Sequence, residues 1–339
     1  MKTRRLSILL LIIIAGAFLV INFNRGEYIR NQGYIHGTIY HFIYNSPDKK
    51  DLQSILEQEM HQFDNSLSTF VPTSTISKIN SNTEMSTDSL FEVLYKRSVE
   101  ISDQTDGAFD MTVAPLVNEW GFGYEKSEDS TVSKHIIDSL LDFTGYKMVH
   151  LVDHKIAKDD PRIKLDASAI AKGFSVDMVA NLLEKYHVKD YMVEIGGEIR
   201  VKGKNPKGRK WVIGIDKPID DPSVSHEELL QTIDITNKAI ATSGNYRNFY
   251  VKDGIKYSHT IDPSTGYPVH HNLLSATVIA DDCMTADAYA TACMVSGVEK
   301  SLSFAEMNKN LDIFLIYSDE NGDLKTVSSN NFDSYLSKE

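Results

Sequence analysis

Apolar positions along this chain recur with a helical period in some stretches and alternate or bunch as strands in others. Leu52, Ile55, Leu56, Met60 and Phe63 fall on one helical face. A second helix is expected to begin near Asp88, with Leu90, Phe91, Leu94 and Val99 turned inward, and to stop before Gly107. Ser133 to Leu141 predicts a shorter one, and Ala171, Phe174, Met178, Leu182 and Leu183 mark another. A helix from about Met284 to Val295 closes at Gly297, where glycine suits the left-handed conformation that ends helices, and Leu302 to Asn308 is again helical. Gly33 to Tyr44, aromatic and β-branched, reads as a strand. So do Tyr191–Ile195, Glu198–Val201, Trp211–Ile215, Gln231–Ile235, Asn248–Val251, Ser275–Ala280 and Asp312–Tyr317, the last followed by a hairpin turn at Glu320–Asp323. The order predicts an α+β fold: one unit of two packed α/β lobes with mixed sheets, the boundary between them falling near residue 150.

The N-terminus follows a different pattern. Lys2, Arg4 and Arg5 precede an apolar run from Ile8 to Ile21, the arrangement of a secretory signal or signal-anchor. The run is short against the ~20 residues of a full span. Ala15-Gly16-Ala17 matches a cleavage pattern, yet Phe18 to Ile21 continue the run beyond it, which favours an uncleaved anchor helix. Residues 1–21 are therefore expected to be signal peptide or membrane anchor, 22–33 a linker, and 34–330 the folded domain. The basic flank predicts attachment at the inner membrane with the domain facing the periplasm or outside.

Composition narrows the partners. The formal net charge of −12 and the lack of a long basic cluster after the N-terminus argue against nucleic acid. An anionic small substrate would need a metal ion or a helix N-terminus to offset repulsion. The two cysteines, Cys283 and Cys293, stand ten residues apart at or in one helix. That is ~15 Å along its axis, too far for a disulfide.

Asp287 and Thr291 stand at i and i+4, so one helix face presents a carboxylate and a hydroxyl, hard oxygen ligands suited to Mg²⁺. Asp281 and Asp282 just upstream are placed to cap the helix or join the site. The plain alternative is an amphipathic helix with an aspartate in its first turns. In Tyr257–Pro268, turn formers put His259 and Asp262 where a strand enters a tight loop, as base and as orienting or metal-binding carboxylate. A solvated turn with a hydrogen-bonded histidine is the competing reading. Asp166-Ala-Ser-Ala-Ile-Ala-Lys-Gly173 joins a strand to a helix through small residues, a place for phosphate or metal with Lys172 beside it; a simple Asp166 cap is the alternative. Asp110 sits in the loop Gly107–Pro115, and Phe70 is an aromatic able to cover a flat ring, although single aromatics are usually core.

Taken together these segments resemble the ApbE family of FAD:protein FMN transferases. The ordered blocks are Ser68–Phe70 with Ser77–Asn80, Gly107–Asp110 with Val113–Val117 and Trp120–Gly123, Leu165–Gly173, Val193–Gly197, Ala241–Arg247, His259–Gly266 and Thr285–Thr291, spanning about residues 34–318. The resemblance implies FAD bound between the lobes, with Mg²⁺ held by Asp287, Thr291 and the backbone carbonyl of Ala169. It implies a FAD site lined by Phe70, Ala108, Phe109, Asp110, Asp166, Lys172 and Ile261, with His36 at a position where the family often carries methionine. Ala290 stands where some members carry a second carboxylate. The implied reaction moves FMN from FAD onto a Thr or Ser hydroxyl of an acceptor protein and releases AMP. The implied acceptor is a subunit of a membrane redox complex of Nqr or Rnf type. His259 supported by Asp262 is the expected base. An FAD pyrophosphatase yielding FMN and AMP and a non-enzymatic periplasmic flavin-binding protein are the competing functions.

Overall fold

The computed structural model describes residues 27–125, 132–218, 228–245, 249–252 and 255–338. The expected anchor (1–21) and the first residues of the linker lie outside these, as do Tyr246 and Arg247. Among the described residues no helix is long and apolar enough to cross a membrane.

The stretch expected as one strand is a hairpin. Strand β1 (Ile29–Ile35) and strand β2 (Thr38–Tyr44) pair antiparallel from Ile29↔Tyr44 to Ile35↔Thr38. Both turn residues, His36 and Gly37, have positive φ (50° and 76°), the backbone twist that two-residue hairpin turns require. Pairing with β2 thus brings Arg30, Asn31 and Gln32 into a strand that their polarity conceals.

Helices α1 (Gln53–Leu67), α3 (Ser89–Gln104) and α5 (Lys134–Leu141) follow close to their expected places, while two short ones, α2 (Thr75–Asn80) and α4 (Ala114–Glu119), were not expected. Asp88 caps α3 by accepting from the Phe91 amide, and Ser133 caps α5 through the Ile136 amide. A small ribbon, β3 (Val149–Val152) with β4 (Lys155–Lys158), precedes α6 (Ala171–Lys185). The chain continues as β5 (Tyr191–Ile195), β6 (Glu198–Lys202), β7 (Trp211–Asp216), β8 (Leu229–Ile235), β9 (Lys238–Gly244), β10 (Phe249–Lys252), β11 (Ile255–Ser258) and β12 (Leu273–Ala280). It ends with α7 (Cys283–Met307), β13 (Asp312–Ser318) and β14 (Leu324–Ser328).

Eight strands form the main sheet in the order β1-β2-β5-β6-β9-β12-β13-β14. Every pairing between the described strands is antiparallel, where mixed sheets were expected. For the pair β12–β13 the reason is visible in the α7 crossover. A single straight helix would return the chain to the start of β12 and make the next strand parallel. Gly297 (φ 76°) instead kinks α7 into two legs, so the chain comes back to the end at which β12 finished.

One face of the sheet carries the main core, with Phe42, Val193, Ala276 and Val278 packed beneath α1, α6 and α7. Its other face packs Val201, Ile240, Ile279 and Phe314 against the β7–β8 ribbon, through Trp211, Ile213 and Ile233. Alternating side chains therefore serve two cores, the period-2 logic of a covered sheet. A third cluster, Leu116, Trp120, Ile137 and Ile261, builds a smaller body from α4, α5 and the loop after β11. Both cysteines are free and buried in the main core, as their spacing implies.

Candidate active site

A cleft of about 370 Å³ opens where the small cluster meets α6 and α7. Its wall is set by the approach of those two helices. A Cβ on Gly173 would lie 2.3 Å from the Cys283 carbonyl oxygen and 2.8 Å from Asp287 Cβ, so only glycine lets the helices touch here. The Gly173 amide donates to Asp287 Oδ2 at 2.9 Å. Asp177, one turn further along α6, accepts from the Cys283 and Met284 amides (2.9 and 2.8 Å) and so caps α7 from a neighbouring helix. Burial lifts the Asp177 carboxyl to about 6, against the pull of Arg200, whose Nη1 lies 2.8 Å away.

Asp287 is 3% exposed, and burial raises its carboxyl above the usual range while Lys172 opposes the rise. Thr291, one turn on, faces the same cleft within 3.4 Å of the Ser243 hydroxyl on β9. Ala169 and Lys172 line the opposing side at the N-terminal end of α6. Lys172 is ion-paired to Glu198 at 2.5 Å, and its ammonium is held above its ordinary pKa by Glu198 and Asp287 in spite of burial. Glu198 is itself 3% exposed; burial raises its carboxyl, and its Oε2 has no hydrogen-bond partner. Two buried carboxylates thus share one ammonium. A further cation at this spot would be strongly favoured.

The remaining walls are loops locked by their own polar groups. Asp110 Oδ1 accepts from the Thr112 amide and hydroxyl (2.7 and 2.6 Å), and Oδ2 from the Tyr146 amide at 2.8 Å. Burial pushes the Asp110 carboxyl upward in spite of these donors. The Asp166 amide donates to the Met111 carbonyl at 2.7 Å, joining the two loops, while its carboxylate accepts from the Ser168 amide at 2.8 Å. Desolvation raises the Asp166 carboxyl as well. Asn80 clamps the Leu165 backbone in both directions, at 2.7 and 2.8 Å. Phe70, 79% exposed, stands at the cleft with its ring edge-on to Tyr124 (centroids 6.5 Å apart). His259 and Ile261 enter from the loop after β11, with the Phe122 ring 6.4 Å from the His259 ring.

The cleft therefore gathers Phe70, Ala108, Phe109, Asp110, Asp166, Ala169, Lys172, His259, Ile261, Asp287 and Thr291. Asp262 and His36 do not line it. The Asp262 carboxylate accepts from the Ser264 amide and hydroxyl (2.8 and 2.7 Å), and its backbone closes the turn through Tyr267 and Gly266. Its place is in holding the loop that carries His259. His36 occupies the β1–β2 turn, its Nδ1 2.7 Å from the Asp64 carboxylate and its Nε2 2.8 Å from the Ser175 hydroxyl. Asp282 caps α7 through the Thr285 amide, and Asp281 pairs with Lys238; neither lines the cleft.

Sequence reasoning passed over Glu198, Ser243 and Tyr124. Glu198 carried one readable signal, an acid directly after Gly196-Gly197 at the start of a strand in which Val201 is core. No trio of His, Cys, Asp or Glu side chains among the described residues is grouped to hold a metal. The cleft wall does bring the Asp287 carboxylate and the Thr291 hydroxyl together, hard oxygens of the kind that suit Mg²⁺.

Comparison with known proteins adds to this geometry. The ApbE family profile matches residues 36–315. A FAD:protein FMN transferase of Vibrio cholerae is 37% identical over 321 residues, covering 92% of this chain and 94% of that one. The FAD:protein FMN transferase of Escherichia coli K12 is 34% identical over 296 residues, covering 85% and 83%. Among solved structures, the flavin transferase ApbE from Vibrio cholerae superposes with a TM-score of 0.83 at 35% identity, covering 91% of this chain and 99% of that one.

Proposed function

The chain belongs to the ApbE family, and from that premise we propose that it is a flavin transferase: it moves FMN from FAD onto a Thr or Ser hydroxyl of an acceptor protein. In the reaction the hydroxyl oxygen bonds to the phosphorus on the FMN side of the pyrophosphate. The bond from that phosphorus to the bridging oxygen breaks, and AMP leaves with the electron pair. Asp287, Thr291 and the Ala169 carbonyl would hold Mg²⁺. When bound, the ion supplies positive charge that offsets the pyrophosphate.

The chain's own residues do the rest. Lys172, steadied by Glu198, presents an ammonium at the N-terminal end of α6, where a phosphate is also favoured by the helix dipole. Phe70 and Tyr124 offer aromatic surface to a flat ring at the mouth. His259 stands in the wall as the group to take the hydroxyl proton. Asp110 and Asp166 keep the adjoining loops rigid through their amide bonds. The observation that carries this reading is Lys172 and Asp287 lining one cleft, where two buried carboxyl groups, Asp287 and Glu198, stand around a single ammonium.

The N-terminal segment is read as an anchor in the inner membrane, with the domain on the outer side. A Thr-bearing subunit of an Nqr- or Rnf-type complex is the proposed acceptor. The test is incubation of the full chain in detergent with FAD, with and without Mg²⁺, and a Thr-bearing acceptor peptide. Peptide fluorescence that survives denaturation, only with Mg²⁺, supports transfer. Free FMN alone would make the enzyme a pyrophosphatase, and neither product would leave a binding protein. If His259→Ala transferred at the full rate with FAD bound, the base would be another group.

A further inference from the structure

The end of the sheet opposite the cleft carries a charge pattern that catalysis does not use. Between β6 and β7, residues 202–210 read Lys-Gly-Lys-Asn-Pro-Lys-Gly-Arg-Lys: five cations and no acid in a chain of net charge −12. Lys204, Lys207, Arg209 and Lys210 are exposed and, among the described residues, take part in no ion pair; Lys202 alone is matched there, by Glu184 at 2.7 Å. The loop is built to display them. Asn205 Oδ1 accepts from the Lys207 and Arg209 amides (2.9 and 3.2 Å), and its Nδ2 donates to the Lys210 carbonyl at 2.6 Å. Thr236 and Asn237 bind the Gly203 carbonyl and amide, and the Trp211 indole donates to the Lys202 carbonyl at 3.0 Å. Asp190, an acid beside the loop, is turned to its backbone, accepting from the Lys204 amide at 2.8 Å.

This loop also lies beside the point where the chain leads to its N-terminus. The Tyr28 hydroxyl donates to the Lys204 carbonyl at 2.8 Å, and the Tyr28 ring meets Trp211 edge-on at 6.4 Å. Six residues separate Tyr28 from the end of the apolar run at Ile21, so the two are at most ~25 Å apart along the chain. We propose that the Lys202–Lys210 loop is an electrostatic contact with an anionic lipid surface, seating the domain on the bilayer that holds its N-terminus. The inference rests on the anchor reading. It adds a surface and a lipid chemistry to it. Juxtamembrane cations attract anionic headgroups within about a Debye length, ~10 Å at 0.1 M salt, so the effect requires closeness and is lost in high salt.

The test uses the full chain reconstituted in vesicles of phosphatidylcholine alone or mixed with phosphatidylglycerol. Flotation with neutral vesicles reports the anchor; amide hydrogen exchange across residues 203–210 reports the loop. Severalfold slower exchange in the anionic vesicles only, reversed by high salt and absent in Lys207→Glu/Arg209→Glu, is the expected result. That variant should keep full transfer activity in detergent, which shows that it is folded. Equal exchange in the two lipids, with flotation intact, overturns the loop contact and leaves the anchor standing. Failure to float in either lipid removes both.

Discussion

The Gly173 amide and the Asp287 carboxylate are joined by a 2.9 Å hydrogen bond across the contact of α6 and α7. Helix packing and the placement of the Asp287 carboxylate are therefore fixed by the same atoms. Gly173→Ala would place a methyl 2.3 Å from the Cys283 carbonyl oxygen, which is backbone and cannot swing aside. The expected loss is about 1–3 kcal/mol of stability, read by denaturant unfolding. Mg²⁺ affinity should fall with it. Unchanged stability would mean that the helices part more easily than their contact implies.

Asp177 gives the same junction a pH dependence. Burial lifts its carboxyl from the ordinary 3.8 to about 6, so the folded protein takes up a proton that the unfolded chain still lacks. This contribution to stability is full below about 3.8 and is lost as pH rises through about 6. The stability margin of the native protein over Asp177→Asn should grow as pH falls from 7 to 5. A margin that shrinks over that range would show that the amide bonds and Arg200 outweigh burial. Asp177→Ala, which strands two amides and Arg200, should cost about 3 kcal/mol or more at pH 7.

Lys172→Met removes the ammonium that Glu198 and Asp287 share. A charged hydrogen bond to a phosphate is worth about 1.5–3 kcal/mol, so FAD affinity should drop by about ten- to a hundredfold. Equilibrium binding at saturating Mg²⁺, without an acceptor, isolates this effect from turnover. An unchanged dissociation constant would take Lys172 off the ligand.

Phe70 has little to lose in the absence of ligand, being 79% exposed. Phe70→Ala should leave stability within about 0.5 kcal/mol, while flavin binding weakens and flavin fluorescence is quenched less. Equal quenching in both proteins would place the ring elsewhere.

The sequence exposed its longer helices well, its short helices α2 and α4 not at all, and its strand pairings poorly. α3, α5 and α7 announce themselves by caps at Asp88 and Ser133 and a stop at Gly297, all local chemistry. The β1–β2 turn went unseen because His36 is an unusual residue at positive φ, and only pairing with β2 makes Arg30–Gln32 a strand. β9 was missed because its Ala239 and Ala241 have weak strand preference; they are small because α7 lies against them. Most of the cleft was legible through ordered motifs that bring distant loops together. Glu198 and the Ser264 partners of Asp262 were not, since both depend on contacts that no local pattern encodes.

Strand β6 has a further consequence. Glu198, which steadies Lys172, is its first residue, and Lys202, which opens the basic loop, is its last. Roughly 13 Å of backbone separates them, paired on one side to β5 and on the other to β9. No hinge fits in such a strand, so it acts as a ruler. If the Lys202 end rests on a lipid surface as proposed, the strand carries that placement unchanged to the Glu198 end and so to the cleft wall at Lys172.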